Sequence, residues 1–347
     1  MEETLDSDPL PGLHVGLTFN LKKGIAGESA DSEAEFDQPE TIDAIKNALQ
    51  EAGCQVAMLE ADLSLPEALR AQPLDIVFNI AEGHNGRGRE AQVPALLNFF
   101  GIPFVGSDET TLCIALDKAL TKRILATYGI KTPAGRLVPA GQFRLAGPVR
   151  FPAIVKPNAE GSSKGISDQA VVQDRTALQA LLERNFQLYG QDMLVESFIE
   201  GREFTVGLLG NGPDLHVFRP MEVVWLQPGN RFATYNYTVK QNWQQLVRYA
   251  CPADLEPAAE ARMVADARTI FSRLNCRDFA RIDFRLDADG VPWFIEINPL
   301  PGLAPGYSDY PMLAGFNGMA YPDLIRGILR AALQRMRFGE VTRYAAT

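Results

Sequence analysis

Arg281 and Asp283, and again Glu296 and Asn298, stand two residues apart in the stretch F-A-R-I-D-F-R-L-D-A-D-G-V-P-W-F-I-E-I-N, Phe279 to Asn298. Two strand-like runs flank Asp287-Ala288-Asp289-Gly290, a turn-forming tetrad. With those four residues as the loop, Leu286 pairs with Val291 and Arg281 with Glu296. Side chains alternate faces along a strand, so the four polar residues share one face. Three hard oxygen ligands suit Mg²⁺ or Mn²⁺, which complete their coordination with water and phosphate oxygens. Arg281 would stabilise negative charge developing beside the metal. The bland alternative is a solvated outer face with a surface ion pair. Against it, Glu296-Ile297-Asn298-Pro299 runs directly into the apolar turn Leu300-Pro301-Gly302-Leu303.

A second group of residues suits phosphate. Ala153-Ile154-Val155-Lys156-Pro157 sets a lysine at the end of a short apolar strand, and Glu160-Gly161-Ser162-Ser163-Lys164-Gly165 follows as a small-residue loop. Such a loop lets backbone N–H groups approach phosphate oxygens, although GxxxxGK[ST] is absent and a flexible surface turn explains it equally well. Lys118, opening a helix, is on its own most simply a solvated charge. Gly86-Arg87-Gly88-Arg89-Glu90-Ala91 offers a rival, a dinucleotide fingerprint with Asp108 twenty residues past Gly88. Its first glycine lies four residues beyond the strand, and Arg87 and Arg89 crowd the approach, so a nicotinamide site is disfavoured.

The elements that must position these groups read as a βαβ rhythm at the start. Strands are expected at Leu13–Phe19, Gln55–Leu59, Asp75–Ile80 and Ile102–Val105, with helices at Pro39–Ala52, Pro66–Arg70 and Val93–Phe100. Later come a helix over Asp117–Tyr128, a strand Pro152–Val155, a helix Thr176–Phe186 and strands Met193–Glu196 and Glu203–Leu209. Strands within His216–Trp225, a helix Glu256–Leu274, the hairpin and a terminal helix Tyr321–Met336 complete the pattern. The expected class is α/β with a parallel sheet in the first part and α+β character afterwards. Three domains are expected: 1–106, 107–195 and 196–347.

Composition narrows the function classes. The chain has 347 residues, 46% hydrophobic and 22% charged, as in a folded globular protein. A net charge of −10 and the lack of a basic stripe disfavour nucleic acid. No apolar run is long enough for a membrane helix. The acidic start lacks signal-peptide features, so a cytoplasmic protein is expected. Cys54, Cys113, Cys251 and Cys276 make no CxxC pair, and His14, His84 and His216 are scattered, so zinc is not expected.

Taken in order, F-N-I-A-E-G, G-I-P-F-V-G-S, L-D-K-A-L-T-K-R, I-V-K-P, E-G-S-S-K-G, V-E-S-F-I-E-G-R-E-F-T-V, A-R-I-D-F-R-L-D-A-D-G and E-I-N-P-L-P-G-L resemble the ATP-grasp enzymes, and among them the D-alanine–D-alanine ligases, over Leu13 to Arg330. The resemblance implies an ATP-grasp fold and a ligase that joins a carboxylate to an amine through an acyl phosphate, using ATP and two Mg²⁺ or Mn²⁺ ions. It implies that Lys118 and Lys156 bind ATP phosphates and that Glu160, Gly161, Ser162 and Ser163 belong to the loop closing over them, Ser163 with a catalytic part. Glu196, Ser197, Phe198 and Ile199 would line the adenine pocket and Glu203 would meet the ribose. Lys240 would reach the phosphates from the closing side. Asp283, Glu296 and Asn298 would hold the metal, with Arg281 on the transferred phosphate and the oxyanion. Glu35 or Asp37 would hold the donor's ammonium, Glu82 and Gly302 would border the amino-acid site, and Ser308 would hold the acceptor's carboxylate. Glu82 stands where the family usually has histidine, Ser197 where it has lysine, and the turn from Gly302 to Pro311 is one residue longer. Small amino acids are the expected partners, D-alanine first, in cell-wall precursor synthesis; a homodimer is compatible. Two further readings stand beside this one: a ligase for other amino acids or another carboxylate, and a non-catalytic nucleotide-binding protein.

Overall fold

The computed structural model describes residues 10–336 except 25–32, 34, 143–144, 146, 162–169, 228–231, 233, 236–238 and 241. Three sheets organise it. In the first, β1 (His14–Phe19) lies between β2 (Gln55–Glu60) and β3 (Ile76–Asn79), all parallel. Val15, Leu17, Ile76 and Phe78 are wholly buried, as a parallel strand covered on both faces requires. The helix Pro39–Glu51 buries Ile42, Ile45, Ala48 and Leu49 against this sheet. The strand expected at Ile102–Val105 is a single bridge between Val77 and Phe104. Pro103 has no N–H to donate, and the chain turns away at Gly106, where φ is +95°.

The second sheet is antiparallel. Its strands are β4 (Gly135–Val138), β5 (Ala153–Pro157), β6 (Val171–Val172) and β7 (Met193–Ser197), in the order β4-β7-β5-β6. The helix Arg175–Tyr189 packs Leu178, Leu181 and Leu182 onto Val155 and Val195. Neither β4 nor the helix Glu109–Leu116 was expected; Gly135-Arg136-Leu137-Val138 is short and follows the linker-like Thr132-Pro133.

The third sheet places the chemistry. It comprises β8 (Arg202–Leu209), β9 (His216–Val217), β10 (Met221–Trp225), β11 (Val247–Ala250), β12 (Phe279–Leu286) and β13 (Pro292–Asn298). The order is β11-β10-β8-β12-β13, with β9 on β8. Pro220 splits the expected His216–Trp225 run, since it cannot donate to a ladder. Phe204, Val206, Ile282 and Phe284 point to one face, where the helix Pro257–Arg273 covers them with Met263, Ala267 and Ile270. Alternation then sends Glu203, Thr205, Arg281, Asp283 and Arg285 to the opposite face. The helix Tyr321–Arg335 runs back to pack Leu324 and Ile328 with Ile42 and Ile45 of the first helix. Its end is pinned by Arg335, which donates to buried Asp278 and to the Phe104 carbonyl. The expected plan, a parallel first sheet followed by mixed antiparallel units, is the one observed.

Candidate active site

The hairpin register differs from the expected one. Arg281 pairs with Asn298 and Asp283 with Glu296, whereas Phe284 pairs with Phe294 and Leu286 with Pro292. The turn is one residue longer because the Asp287 carboxylate accepts from the N–H groups of Asp289 and Val291 at 3.0 and 2.8 Å and from the Trp293 indole at 2.8 Å. That slip alone would turn Glu296 and Asn298 to the other face. A bulge at Ile295 absorbs a second residue and restores the parity. The pairing was therefore wrong by two residues, and the shared face of Arg281, Asp283, Glu296 and Asn298 is retained.

This face is densely charged. Arg281 donates to both Asp283 oxygens, at 3.2 and 3.0 Å, and the Thr205 hydroxyl donates to Asp283 at 2.9 Å. Burial pushes the Asp283 pKa up, Arg281 opposes this, and Glu296 across the ladder pushes it further up. Burial would raise Glu296 too, but Lys118, Lys156, Arg281 and Lys240 together hold its pKa at about 2. Lys118 Nζ lies 3.6 Å from Glu296. Among the described residues no three His, Cys, Asp or Glu side chains gather as a metal site; the hairpin reaches three oxygen ligands only through the Asn298 amide. The set nonetheless fits a hard divalent cation. Its donors are all oxygen, and the repulsion between Asp283 and Glu296 is what such a cation relieves.

Lysines and carboxylates interlock on the second sheet. Glu196 receives Lys122 at 2.5 Å and Lys156 at 3.0 Å, and all three side chains are buried. Burial penalises the Glu196 carboxylate, yet the two lysines outweigh it and keep its pKa below the ordinary value. Burial, reinforced by Lys156, pulls Lys122 down to about 7 despite Glu196. A pocket opens beside this triad. It is lined by Lys156, Glu196, Ser197, Phe198, Ile199 and Glu203, by apolar Ile154, Phe204, Val223 and Phe284, and by Lys240, Asp283 and Glu296. Arg285 lies 4.5 Å over the Phe198 ring and is ion-paired with Glu203. An apolar slot with a few convergent charges is the usual form of a nucleotide or cofactor site.

The loop after β5 is held at its first residues. Asp117 caps the helix Lys118–Thr127 and accepts from Asn158, which fixes Lys118 beside the loop. Lys118 donates to the Glu160 carbonyl, and Gln191 donates to the Glu160 carboxylate at 2.6 Å. Ser162 and Ser163 lie outside the described residues. Glu35 meets Gly161 N at 2.7 Å and is tied to Arg89. The rival dinucleotide fingerprint is thereby accounted for otherwise. Arg89 and Glu90 are buried, and Asp108 is engaged as a helix cap and as the partner of Arg277 at 2.9 Å.

A second cavity, about 420 Å³, adjoins the first. Glu35, Asp37, Glu82, Gly302 and Ser308 all line it, with Lys240, Arg281, Asn298 and Asp309. Lys240 belongs to both cavities and lies 3.5 Å from Asp309. Burial raises the Asp37 pKa to about 7. Burial, with Glu90 and Glu35 nearby, pushes Glu82 well up. Ser308 occupies the N-cap position of the helix Asp309–Phe316 but makes no side-chain capping bond; its hydroxyl accepts from Ala304 N at 3.2 Å. Lys122, Arg285, Asp309 and Arg89 were not singled out as site residues. Only Lys122 had a legible signal, its place four residues after Lys118 on one helix face. Asp309 joins Arg281 at 3.6 Å and accepts from the Tyr235 hydroxyl at 2.9 Å, contacts made across the fold.

An apolar slot between two antiparallel units, bordered by lysines and by the carboxylate hairpin, is the arrangement expected of an ATP-grasp ligase. Residues 142–330 match the family model for the D-ala D-ala ligase C-terminus. The chain is 33% identical over 290 residues to the D-alanine–D-alanine ligase of Bordetella petrii, covering 83% of this chain and 85% of that one. It is 34% identical over 310 residues to the uncharacterized protein y4sG of Sinorhizobium fredii, covering 86% and 89%. Its fold is similar to the crystal structure of D-alanine–D-alanine ligase from Bacillus anthracis complexed with ATP, with a TM-score of 0.71 at 20% identity over 94% of this chain and 99% of that one. The chain belongs to the D-alanine–D-alanine ligase family.

Proposed function

We propose that this chain is an ATP-dependent ligase that joins two amino acids, with D-alanine as both donor and acceptor, in the supply of peptidoglycan precursors in the cytoplasm. One observation carries the reading. Two cavities meet at Lys240, and the hairpin divides its polar face between them: Asp283 and Glu296 border the slot, Arg281 and Asn298 the wider cavity. A phosphate handed from one cavity to a carboxylate in the other would pass that face.

In this reading ATP's γ-phosphate moves to the donor carboxylate, giving an acyl phosphate and ADP. The acceptor amine attacks the acyl carbon, the C–O bond to phosphate breaks, and phosphate leaves with the amide formed. The adenine sits against Phe198 and Ile199, beside Glu196 and Ser197, and Glu203 faces the ribose. Lys118, Lys156 and Lys240 neutralise phosphate oxygens, with Glu160 and Gly161 leading into the loop over them. Asp283, Glu296 and Asn298 would hold Mg²⁺ or Mn²⁺, which when bound neutralises phosphate charge. Arg281 steadies the transferred phosphate and the oxyanion. Glu35 already serves Arg89 and Gly161, so Asp37 is assigned the donor's ammonium. Ser308 is assigned the acceptor's carboxylate.

The acidic wall of Asp37 and Glu82 favours a second reading, a ligase for a more cationic donor. Both are tested by incubating the protein with ATP, Mg²⁺ and single D- or L-amino acids, then weighing the product. D-alanyl-D-alanine formed in step with ADP and phosphate supports the first. A basic amino acid in the product, with D-alanine ignored, supports the second. No ADP with any substrate would contradict both.

A further inference from the structure

We propose that Arg89 is a positioning residue that clamps Glu35 onto the backbone of Ala159, Glu160 and Gly161, and so fixes the Glu160 carbonyl that holds Lys118, the lysine assigned to ATP phosphate. The inference rests on reading Lys118 as a phosphate-binding lysine. Three segments far apart in sequence converge. Arg89 Nε and both terminal nitrogens are used: Nε and one terminal nitrogen grip Glu35 at 2.7–3.1 Å. The other donates to the Ala159 carbonyl at 2.8 Å. The terminal nitrogen on Glu35 also lies 3.4 Å from the Glu160 carboxylate. Glu35 in turn accepts from Gly161 N at 2.7 Å. Ala159, Glu160 and Gly161, three consecutive residues, are thus all held from one guanidinium or its partner.

Burial and sterics agree with a dedicated clamp. Arg89 is 7% exposed, and the Glu35 side chain 9%. Removing one member of a buried charge pair leaves the other in a low-dielectric site without its partner, so Glu35 would not keep its place without Arg89. Gly161 has an ordinary φ, yet a Cβ there would stand 2.5 Å from the Glu35 carboxylate. Glycine at 161 is therefore needed for the approach of Glu35 rather than for backbone conformation. A guanidinium makes this fork with planar, pre-organised geometry, which a lysine ammonium cannot reproduce.

The test uses the full chain with ATP and the acceptor amine varied separately. Arg89→Met and Glu35→Gln should each raise the KM for ATP by about tenfold or more, with the acceptor KM within about twofold. The double variant should be no worse than the worse single one, because both remove the same clamp. Arg89→Lys should recover part of the loss. Gly161→Ala, which keeps Arg89 and displaces only the carboxylate, should shift ATP KM in the same direction, and it carries the test if Arg89→Met does not fold. Unchanged ATP KM in Gly161→Ala and Arg89→Lys, or effects that multiply in the double variant, would overturn the clamp. So would an equal rise in both KM values alongside a lower melting temperature, the signature of general damage. A wild-type protein that releases no phosphate from ATP would overturn the reading of Lys118 as a phosphate lysine, and the clamp's role with it.

Discussion

The two cavities that meet at Lys240 differ in how completely their carboxylates are paired. Around the slot, carboxylates sit beside cations: Glu196 with Lys122 and Lys156, Glu203 with Arg285, Glu296 with Lys118. In the wider cavity Asp309 is paired likewise, with Lys240 and Arg281, but among the described residues Asp37 and Glu82 join no ion pair, and burial raises their pKa values. Lys22 lines that cavity as well, but no ion pair joins it to either among the described residues. The charges of the slot are already paired and oriented, as the proposed phosphate site would require. In the proposed function, an incoming ammonium would supply the missing partner in the wider cavity. Preorganisation lowers the reorganisation cost at the moment of reaction, whereas an incomplete site makes binding depend on the ligand's charge.

The sharpest way to break this contrast is at the hairpin. Glu296→Gln should lower kcat by about a hundredfold or more, the scale expected when a proposed ligand of the phosphate-neutralising cation loses its charge, while circular dichroism stays that of wild type. An enzyme with normal turnover would remove the hairpin from the chemistry.

Lys156→Met probes the slot itself. Lys122 still serves Glu196 in this variant, so the fold should survive. ATP affinity by calorimetry should fall roughly ten- to a hundredfold, since a charge-assisted contact contributes roughly 1.5–3 kcal/mol. Unchanged ATP affinity would mean that Lys156 serves Glu196 alone.

Ser308→Ala moves to the other cavity. Its hydroxyl makes no capping bond to the helix and accepts only a long bond from Ala304 N, at 3.2 Å, so the melting temperature should fall by little. The acceptor KM should rise about tenfold, the lower end of the same range, with ATP KM unchanged. A lower melting temperature with unaltered acceptor KM would return Ser308 to a structural part.

The smallest effect is a pH dependence. Asp37, at about 7 in the fold, carries a proton below that pH and is ionised above it. Only the ionised form pairs with an ammonium, so donor affinity should strengthen severalfold between about pH 6 and pH 8 and then level. Asp37→Asn should flatten that profile. A profile that weakens with rising pH in the wild type would contradict the assignment.

The contrast also explains what could be seen in the sequence. Strand alternation placed Arg281, Asp283, Glu296 and Asn298 on one face because that argument needs only parity. The Asx turn at Asp287 and the bulge at Ile295 shifted the register twice, and nothing in the composition marks either shift. Lys156 and Gly161 stood out because a strand end and a small-residue loop have local signatures. Arg89, Asp309 and Arg285 did not, since each finds its partners only after distant segments pack. Glu35 and Asp37 could not be told apart by spacing, since the contacts of Glu35 with Arg89 and Gly161 form only when distant segments pack.

Isotope transfer tests the central claim most directly. The donor carboxylate is labelled with ¹⁸O, and the released phosphate is weighed after a single round of ligation. An acyl phosphate route predicts one labelled oxygen in each phosphate, in step with the amide formed. Unlabelled phosphate alongside dipeptide would contradict the route, and phosphate release with no amide under any amino acid would contradict the ligase itself.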